Sequence, residues 1–104
     1  MSLPRTEEHL IYGQVKFRIG SIVYVAFSRD GATMGFAFPK DLRSALVEAE
    51  PEKFLLPKAS DLRFNWVCAR LDAIDAREMR MLVTEAWRMV IPRRIAATYD
   101  LDHS

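Results

Sequence analysis

A run of three short apolar segments separated by turn signals constrains the fold of this chain most. Residues 15–19 read VKFRI and alternate apolar with basic side chains, the period-two pattern of a strand with one solvated face. A Gly-Ser pair suited to a type II′ turn follows, and residues 22–28 then form a strand whose continuous apolarity favours a central position covered on both faces. An Asp-Gly turn signal comes next, so residues 33–38 should return antiparallel. The sequence therefore predicts a three-stranded meander.

A helix and a fourth strand should follow the meander. Pro39 can open a helix, because its fixed φ suits the first turn and its missing N–H is not needed there. Apolar residues then recur at helical spacing until Pro51 ends the pattern. Residues 64–71 have the composition of another strand, with Trp66 and Cys68 on the same face.

The last part of the chain predicts a second amphipathic helix. Asp75 and Glu78 have the spacing of a capping box. One face of this helix is apolar, and a different face carries a mostly basic stripe of Arg77, Arg80, Thr84 and Arg88. Pro92 removes a backbone donor, so the helix should kink or end just before it, and Arg93 and Arg94 would then complement its last carbonyls. The elements together predict an α+β fold, with an antiparallel sheet of about four strands and helices packed mainly on one face.

Length and composition are those of a single globular domain spanning residues 1–104. Half of the residues are hydrophobic and 28% are charged, and the longest apolar run, residues 22–27, is far too short to cross a membrane. No signal-peptide pattern opens the chain, so we expect a cytoplasmic protein without membrane contact. The formal net charge is +1, but residues 58–94 carry eight basic and five acidic side chains. Any electropositive surface should therefore come mainly from this second half.

The residues needed for catalysis or metal binding are sparse. Cys68 is the single cysteine and lies inside an apolar strand pattern, where a buried structural thiol is the usual case. The two histidines, His9 and His103, lie near the ends of the chain and cannot complete a zinc site with one cysteine. The four glycines form no phosphate-binding loop. The sequence predicts no enzyme activity, no metal and no cofactor.

Basic side chains adjoin aromatic ones at three places: Lys16 and Arg18 around Phe17, Arg63 and Arg70 around Trp66, and Arg88 beside Trp87. Lysine and arginine on an exposed surface bind phosphates through charge and counterion release. The simpler alternative is that these charges keep the exposed faces soluble while the aromatic rings fill the core.

The order of motifs resembles the MmcQ/YjbR family of small bacterial α+β domains. The resemblance covers most of the chain and rests on Ser2-Leu3-Pro4, VKFRI at residues 15–19, EAEPEKF at residues 48–54, Asn65-Trp66-Val67 and AWRMVIPRRI at residues 86–95. It implies a double-wing, DNA-binding domain that contacts the duplex mainly through phosphates, with little base specificity. By resemblance, the contacting residues would be Lys16, Arg18, Arg63, Arg93 and Arg94. The helical and strand periodicity adds Arg70, Arg80 and Arg88. The alternative is a protein-interaction or small regulatory module that does not bind nucleic acid.

One departure from the family concerns the start of the chain. Relatives usually carry about one helix before the Leu-Pro pair with which this sequence begins. Without such a helix, an apolar strip of the sheet would be uncovered. The sequence therefore also predicts a homodimer, in which a second copy covers this face.

Overall fold

The structure, a computed structural model, describes residues 3–11 and 13–103, with His103 described by its backbone alone. Within these residues the chain forms six strands and three α-helices. In chain order they are β1 (Glu7–Ile11), β2 (Gln14–Ile19), β3 (Ile22–Phe27), β4 (Thr33–Ala37), α1 (Lys40–Ala49), β5 (Phe54–Leu55), β6 (Trp66–Arg70), α2 (Ala76–Val90) and α3 (Arg93–His103). No helix in this part of the chain is both long and apolar enough to span a membrane.

The six strands form one antiparallel sheet in the order β1-β2-β3-β4-β6-β5. The central pairing is short, because β3 and β4 are in register only from Val25 opposite Phe36 to Phe27 opposite Met34. Beyond Val25 the first residues of β3 have no partner on β4. The sheet therefore consists of two three-stranded wings, β1-β2-β3 and β4-β6-β5, joined along three residue pairs.

A bulge in β3 explains why its apolar run has no simple alternation. Phe17 pairs with Val25 while Arg18 pairs with Val23, so Tyr24 is the extra residue on that strand. Tyr24 and Val25 are 1% and 0% exposed and both belong to the core. The Tyr24 hydroxyl shares a hydrogen bond of 2.7 Å with the hydroxyl of Thr6. The bulge thus lets two consecutive residues contribute to the same core.

The helices pack on the face of the sheet that carries Val25, Met34 and Phe36. α1 contacts β5 and β6, and α2 contacts β3 and β4. The carboxylate of Asp75 accepts a hydrogen bond of 2.8 Å from the backbone N–H of Glu78, which starts α2 as the capping pattern predicts. Burying the apolar stripe of α2 is the main force that fixes this helix on the sheet.

Trp87 of α2 is fully buried and joins three parts of the chain. Its indole Nε1–H donates a hydrogen bond of 2.9 Å to the Pro4 carbonyl oxygen near the start of the chain. On α3, the ring of Tyr99 lies against it with a centroid distance of 5.1 Å. α3 is fixed further by Arg88, whose guanidinium reaches both carboxylate oxygens of Asp100 at 2.6 Å.

The predicted α+β class and the packing of helices on one face are confirmed, with six strands rather than about four. The extra strands are β1, whose polar residues suit a solvated sheet edge, and β5, which has only two residues. The central position of β3 is confirmed, but coverage of both of its faces is wrong, because Val23 and Ala26 lie on the face away from the helices, where they line a groove.

The end of α2 before Pro92 is confirmed, but the expectation for the residues after it is wrong. Arg93 and Arg94 do not follow the last helix; they begin α3. The Pro92 carbonyl accepts hydrogen bonds from the backbone N–H groups of Ile95 and Ala96, so the proline separates two helices. The two arginines therefore lie in the first turn of α3, where the helix dipole does not favour cations.

Candidate functional site

The sheet face opposite the helices, here called the open face, carries its own pattern of side chains. The strand register places Lys16, Ala26, Gly35 and Cys68 side by side across the four central strands. Side chains on neighbouring strands at paired positions share a face, so these four residues form one row. In the adjacent row, Ala37 pairs with Trp66. Small residues thus occupy the middle of this face, and larger ones lie on β2 and β6.

Because its middle is made of small residues, the open face is concave. A groove of about 770 Å³ runs along it. Ala26, Gly35 and Ala37 line its floor, and Lys16 and Trp66 line it from opposite sides. The groove continues past the point where the wings separate, since Met89 and Val90 at the end of α2 also line it. Such a recess can hold a group the size of a nucleotide.

Trp66 lies flat against the floor of the groove because position 35 is a glycine. A Cβ atom at Gly35 would lie only 2.5 Å from the indole Nε1 and 2.7 Å and 2.8 Å from Cζ2 and Cε2. Glycine in a strand often marks such a close approach of another group to the backbone. One face of the indole therefore rests on the strand, and the side chain as a whole is only partly buried. The indole is preorganised as a surface within the groove.

Arg43 of α1 holds the segment that leads into Trp66. This guanidinium is 8% exposed and donates hydrogen bonds to the Phe64 carbonyl at 2.9 Å, the Trp66 carbonyl at 3.2 Å and the Leu62 carbonyl. The segment it holds carries Arg63, whose guanidinium carbon lies 4.7 Å from the centre of the Phe64 ring. Phe64 is 50% exposed and lines the groove, so its entrance has an aromatic ring beside a cation.

Charge within the groove is predominantly positive, with one carboxylate. Lys16 and Lys58 line it from β2 and from the loop before β6, and Asp61 lines it near Cys68. Burial raises the pKa of the Cys68 thiol above its ordinary value, and the negative charge of Asp61 raises it further. The thiol is therefore protonated at neutral pH, and its environment is unlike that of an activated nucleophile.

Two arginines extend the positive charge along the open face. Arg18 follows Lys16 at the next outward position of β2, and Arg70 ends β6 in line with Cys68. The Arg18 Nε atom lies 3.7 Å from a carboxylate oxygen of Glu7. The pKa of Glu7 is lowered, chiefly by its hydrogen bond with His9 and also by the charges of His9 and Arg18.

Two buried donors on this face have no hydrogen-bond acceptor in the described part of the chain. The buried Nη1 of Arg70 makes no hydrogen bond, and the buried Nε of Arg18 makes none either, although it is within ion-pair distance of Glu7. A buried donor without an acceptor is unfavourable, so an oxygen-rich ligand or water that reached these groups would be stabilised.

The structure separates the eight arginines and lysines predicted to bind. Lys16, Arg18 and Arg70 share the open face, and Arg63 lies over the ring of Phe64, which lines the groove. Arg80 is exposed on α2, which packs on the other face of the sheet.

The remaining three are on the last two helices. Arg88 is engaged by Asp100 and lies 3.5 Å from a Glu85 carboxylate oxygen, so its charge is largely compensated. Asp100 is also the main reason that the pKa of Arg88 is raised. Arg93 and Arg94 are exposed and follow the end of α2 that lines the groove.

Sequence reasoning missed Lys58, Phe64 and the role of Gly35. The glycine inside a strand pattern was a usable signal, because it often indicates close backbone approach. Lys58 and Phe64 lie in irregular segments, where periodicity predicts no orientation.

Comparison with known proteins agrees with this architecture. The model of the YjbR family matches residues 1–89, which leaves all of α3 outside the match. The crystal structure of the Deinococcus radiodurans protein DR2400, described as a DUF419 domain, superposes with a TM-score of 0.70 at 18% sequence identity. The superposition covers 85% of this chain and 70% of that one. No curated protein matches the sequence significantly. Since the family model spans most of the sequence, the chain belongs to the YjbR family.

Proposed function

We propose that this protein binds DNA through the open face of its sheet, mainly by contacts to phosphates and with little base specificity. The observation that carries the proposal is the grouping of Lys16, Arg18 and Arg70 on one face, together with a groove on that face that Lys16 and Lys58 line. Phosphate binding needs several cations on one accessible surface, and the contacts it makes are independent of base sequence.

The open face is favoured over the helical side for a physical reason. Arg88 of α2 is held by two carboxylates and would have to break these ion pairs to bind phosphate. Arg93 and Arg94 are exposed and could extend the contact from the end of the groove where α2 finishes. Arg80 would face away from a ligand bound to the open face.

A homodimer through the uncovered sheet face would use this same surface. A second copy would bring two sets of basic residues together on a concave floor, which is electrostatically unfavourable. DNA complements this charge, so we favour it as the ligand. A protein-interaction module without nucleic-acid binding is the alternative function, and an acidic partner would suit the same face.

Titration of labelled oligonucleotides, both duplex and single-stranded, at two salt concentrations tests the proposal. With about four or five phosphate contacts, a plot of the logarithm of the association constant against the logarithm of the salt concentration should have a slope of about −4 for duplex DNA. Absence of binding by either form at low salt would contradict the proposal and favour the interaction module.

Matched charge reversals locate the surface. Lys16→Glu should weaken DNA binding several-fold, whereas Arg80→Glu changes the charge equally on the other side of the sheet and should have little effect. The double variant Arg93→Glu, Arg94→Glu should weaken binding without unfolding the domain. If Lys16→Glu and Arg80→Glu have equal effects, binding depends on net charge and the open face is not the site. Circular dichroism of each variant establishes that the fold is intact.

A further inference from the structure

The shape of the open face bears on which form of DNA it can accept. Proteins that read base sequence in the major groove of an intact duplex insert a protruding element, such as a helix or a two-stranded ribbon. Here Lys16 and Lys58 instead line a recess floored by Ala26, Gly35 and Ala37. An intact duplex could contact only the rim of such a recess, because its bases are stacked inside the helix. An unpaired nucleotide can enter it.

The aromatic surface inside the recess suits a base. The Trp66 indole rests on the Gly35 backbone, and its side chain lines the groove. Single-strand-binding proteins combine such aromatic surfaces with a positively charged groove, because every base has a π face that can stack on an aromatic ring. The indole is already fixed in place, so little side-chain entropy would be lost when a base stacks on it.

Lys16 and Lys58 are close enough to the Trp66 indole to bind phosphates of a strand whose base stacks on it. Lys16 is on β2 and Trp66 is on β6, two strands that are three positions apart in the sheet, or about 14 Å. Trp66 lies one row further along the sheet than Lys16. A strand that crosses the groove could place one base on the indole and a neighbouring phosphate near Lys16. Lys58 lines the same groove in the loop that precedes β6 and offers a second cation.

From this geometry we infer that the ligand of the groove is single-stranded DNA, with an unpaired base stacked on Trp66 and the adjoining phosphates bound by Lys16 and Lys58. The inference rests on the proposed DNA binding and specifies the form of DNA that is bound. Base stacking is tolerant of sequence, so it agrees with low base specificity.

Fluorescence anisotropy with a labelled oligothymidylate and with a duplex of equal length tests the inference. The wild-type protein should bind the single strand at least about ten-fold more tightly than the duplex. Trp66→Leu should weaken single-strand binding by about ten-fold, which corresponds to about 1.4 kcal/mol. Trp66→Phe keeps an aromatic ring and should retain most of the affinity. Gly35→Ala should mimic Trp66→Leu, because the added methyl group displaces the indole while leaving it in the protein.

Tryptophan emission gives an independent readout of stacking. Trp87 is 0% exposed, so a ligand in the groove should quench only Trp66. We expect oligothymidylate to quench the wild-type protein and to leave the emission of Trp66→Phe, which retains Trp87, unchanged.

The outcomes separate the two proposals. Equal or tighter binding of the duplex, or an unchanged single-strand affinity in Trp66→Leu, would overturn the inference while leaving DNA binding intact. Binding of neither form would overturn the proposed function, and the inference with it.

Discussion

Replacing Arg43 with methionine should destabilise the domain, because this side chain links α1 to the segment before β6. Arg43 is 8% exposed and its guanidinium donates to the carbonyls of Leu62, Phe64 and Trp66. Methionine has a similar length and can occupy the space but cannot donate. A hydrogen bond from a charged donor contributes about 1.5–3 kcal/mol, and these three share one group, so we expect a loss of about 3 kcal/mol of unfolding free energy.

Urea denaturation followed by tryptophan fluorescence measures this loss. For a domain of about 100 residues, the same change should lower Tm by roughly 12–24 °C. Arg43→Lys is the matched control: its single ammonium keeps the charge but cannot span three carbonyls, so it should fall between the wild-type protein and Arg43→Met. An unfolding free energy for Arg43→Met within about 1 kcal/mol of wild type would refute this account of the segment.

Further measurements test the charge in the groove, the reactivity of its thiol, the cap of α2 and the oligomeric state. Asp61→Asn removes the carboxylate that lines the groove and should strengthen DNA binding about two- to three-fold at low salt, since exposed charge pairs contribute below about 1 kcal/mol; weaker binding would be the contrary result. Cys68 should react with iodoacetamide more slowly than a free cysteine at pH 8, because its raised pKa reduces the thiolate fraction. That reaction should accelerate as the pH rises through the raised pKa and slow when DNA occupies the groove; a rate unaffected by DNA would place the ligand elsewhere. Asp75→Ala removes the N-cap of α2 and should cost about 1 kcal/mol in urea denaturation, whereas an unchanged midpoint would show the cap to be dispensable. Light scattering at micromolar concentration should give the mass of one chain, and a dimer that dissociates when DNA is added would instead support a second copy on the open face.

The sequence predicted those strands, turns and helix ends that are determined by a few neighbouring residues. The meander followed from two turn signals and the alternation of VKFRI, and Gly20 has the positive φ of 57° that the first turn requires. The capping pattern at Asp75 likewise identified the start of α2. Each of these depends on residues close together in the chain.

Features that depend on distant residues could not be predicted. The bulge at Tyr24 arises from the pairing of β3 with β2, and periodicity within one strand does not reveal it. α3 follows Pro92 and docks through the contact of Tyr99 with Trp87, although the proline suggested only the end of α2.

In the candidate site, too, features that depend on nearby residues were predicted and those that depend on distant residues were not. Alternation predicted that Lys16 and Arg18 share a face, and that Trp66 shares one with Cys68. Both pairs lie on the same side of the sheet because β4 pairs with β6, which is about 30 residues away in the sequence, and because β3 pairs with β4 and so joins the two wings. The contact of the Trp66 indole with Gly35 depends on that pairing, so only the structure reveals the groove.

Nuclear magnetic resonance would show residue by residue whether nucleic acid binds in the groove of the open face. Oligothymidylate would be titrated into ¹⁵N-labelled protein and the shifts of the backbone amides followed. We expect the largest changes at Lys16, Ala26, Gly35 and Cys68, whereas the amide of Arg80 on the opposite side should hardly change. Changes concentrated on the exposed face of α2, or none at low salt, would contradict binding in the groove.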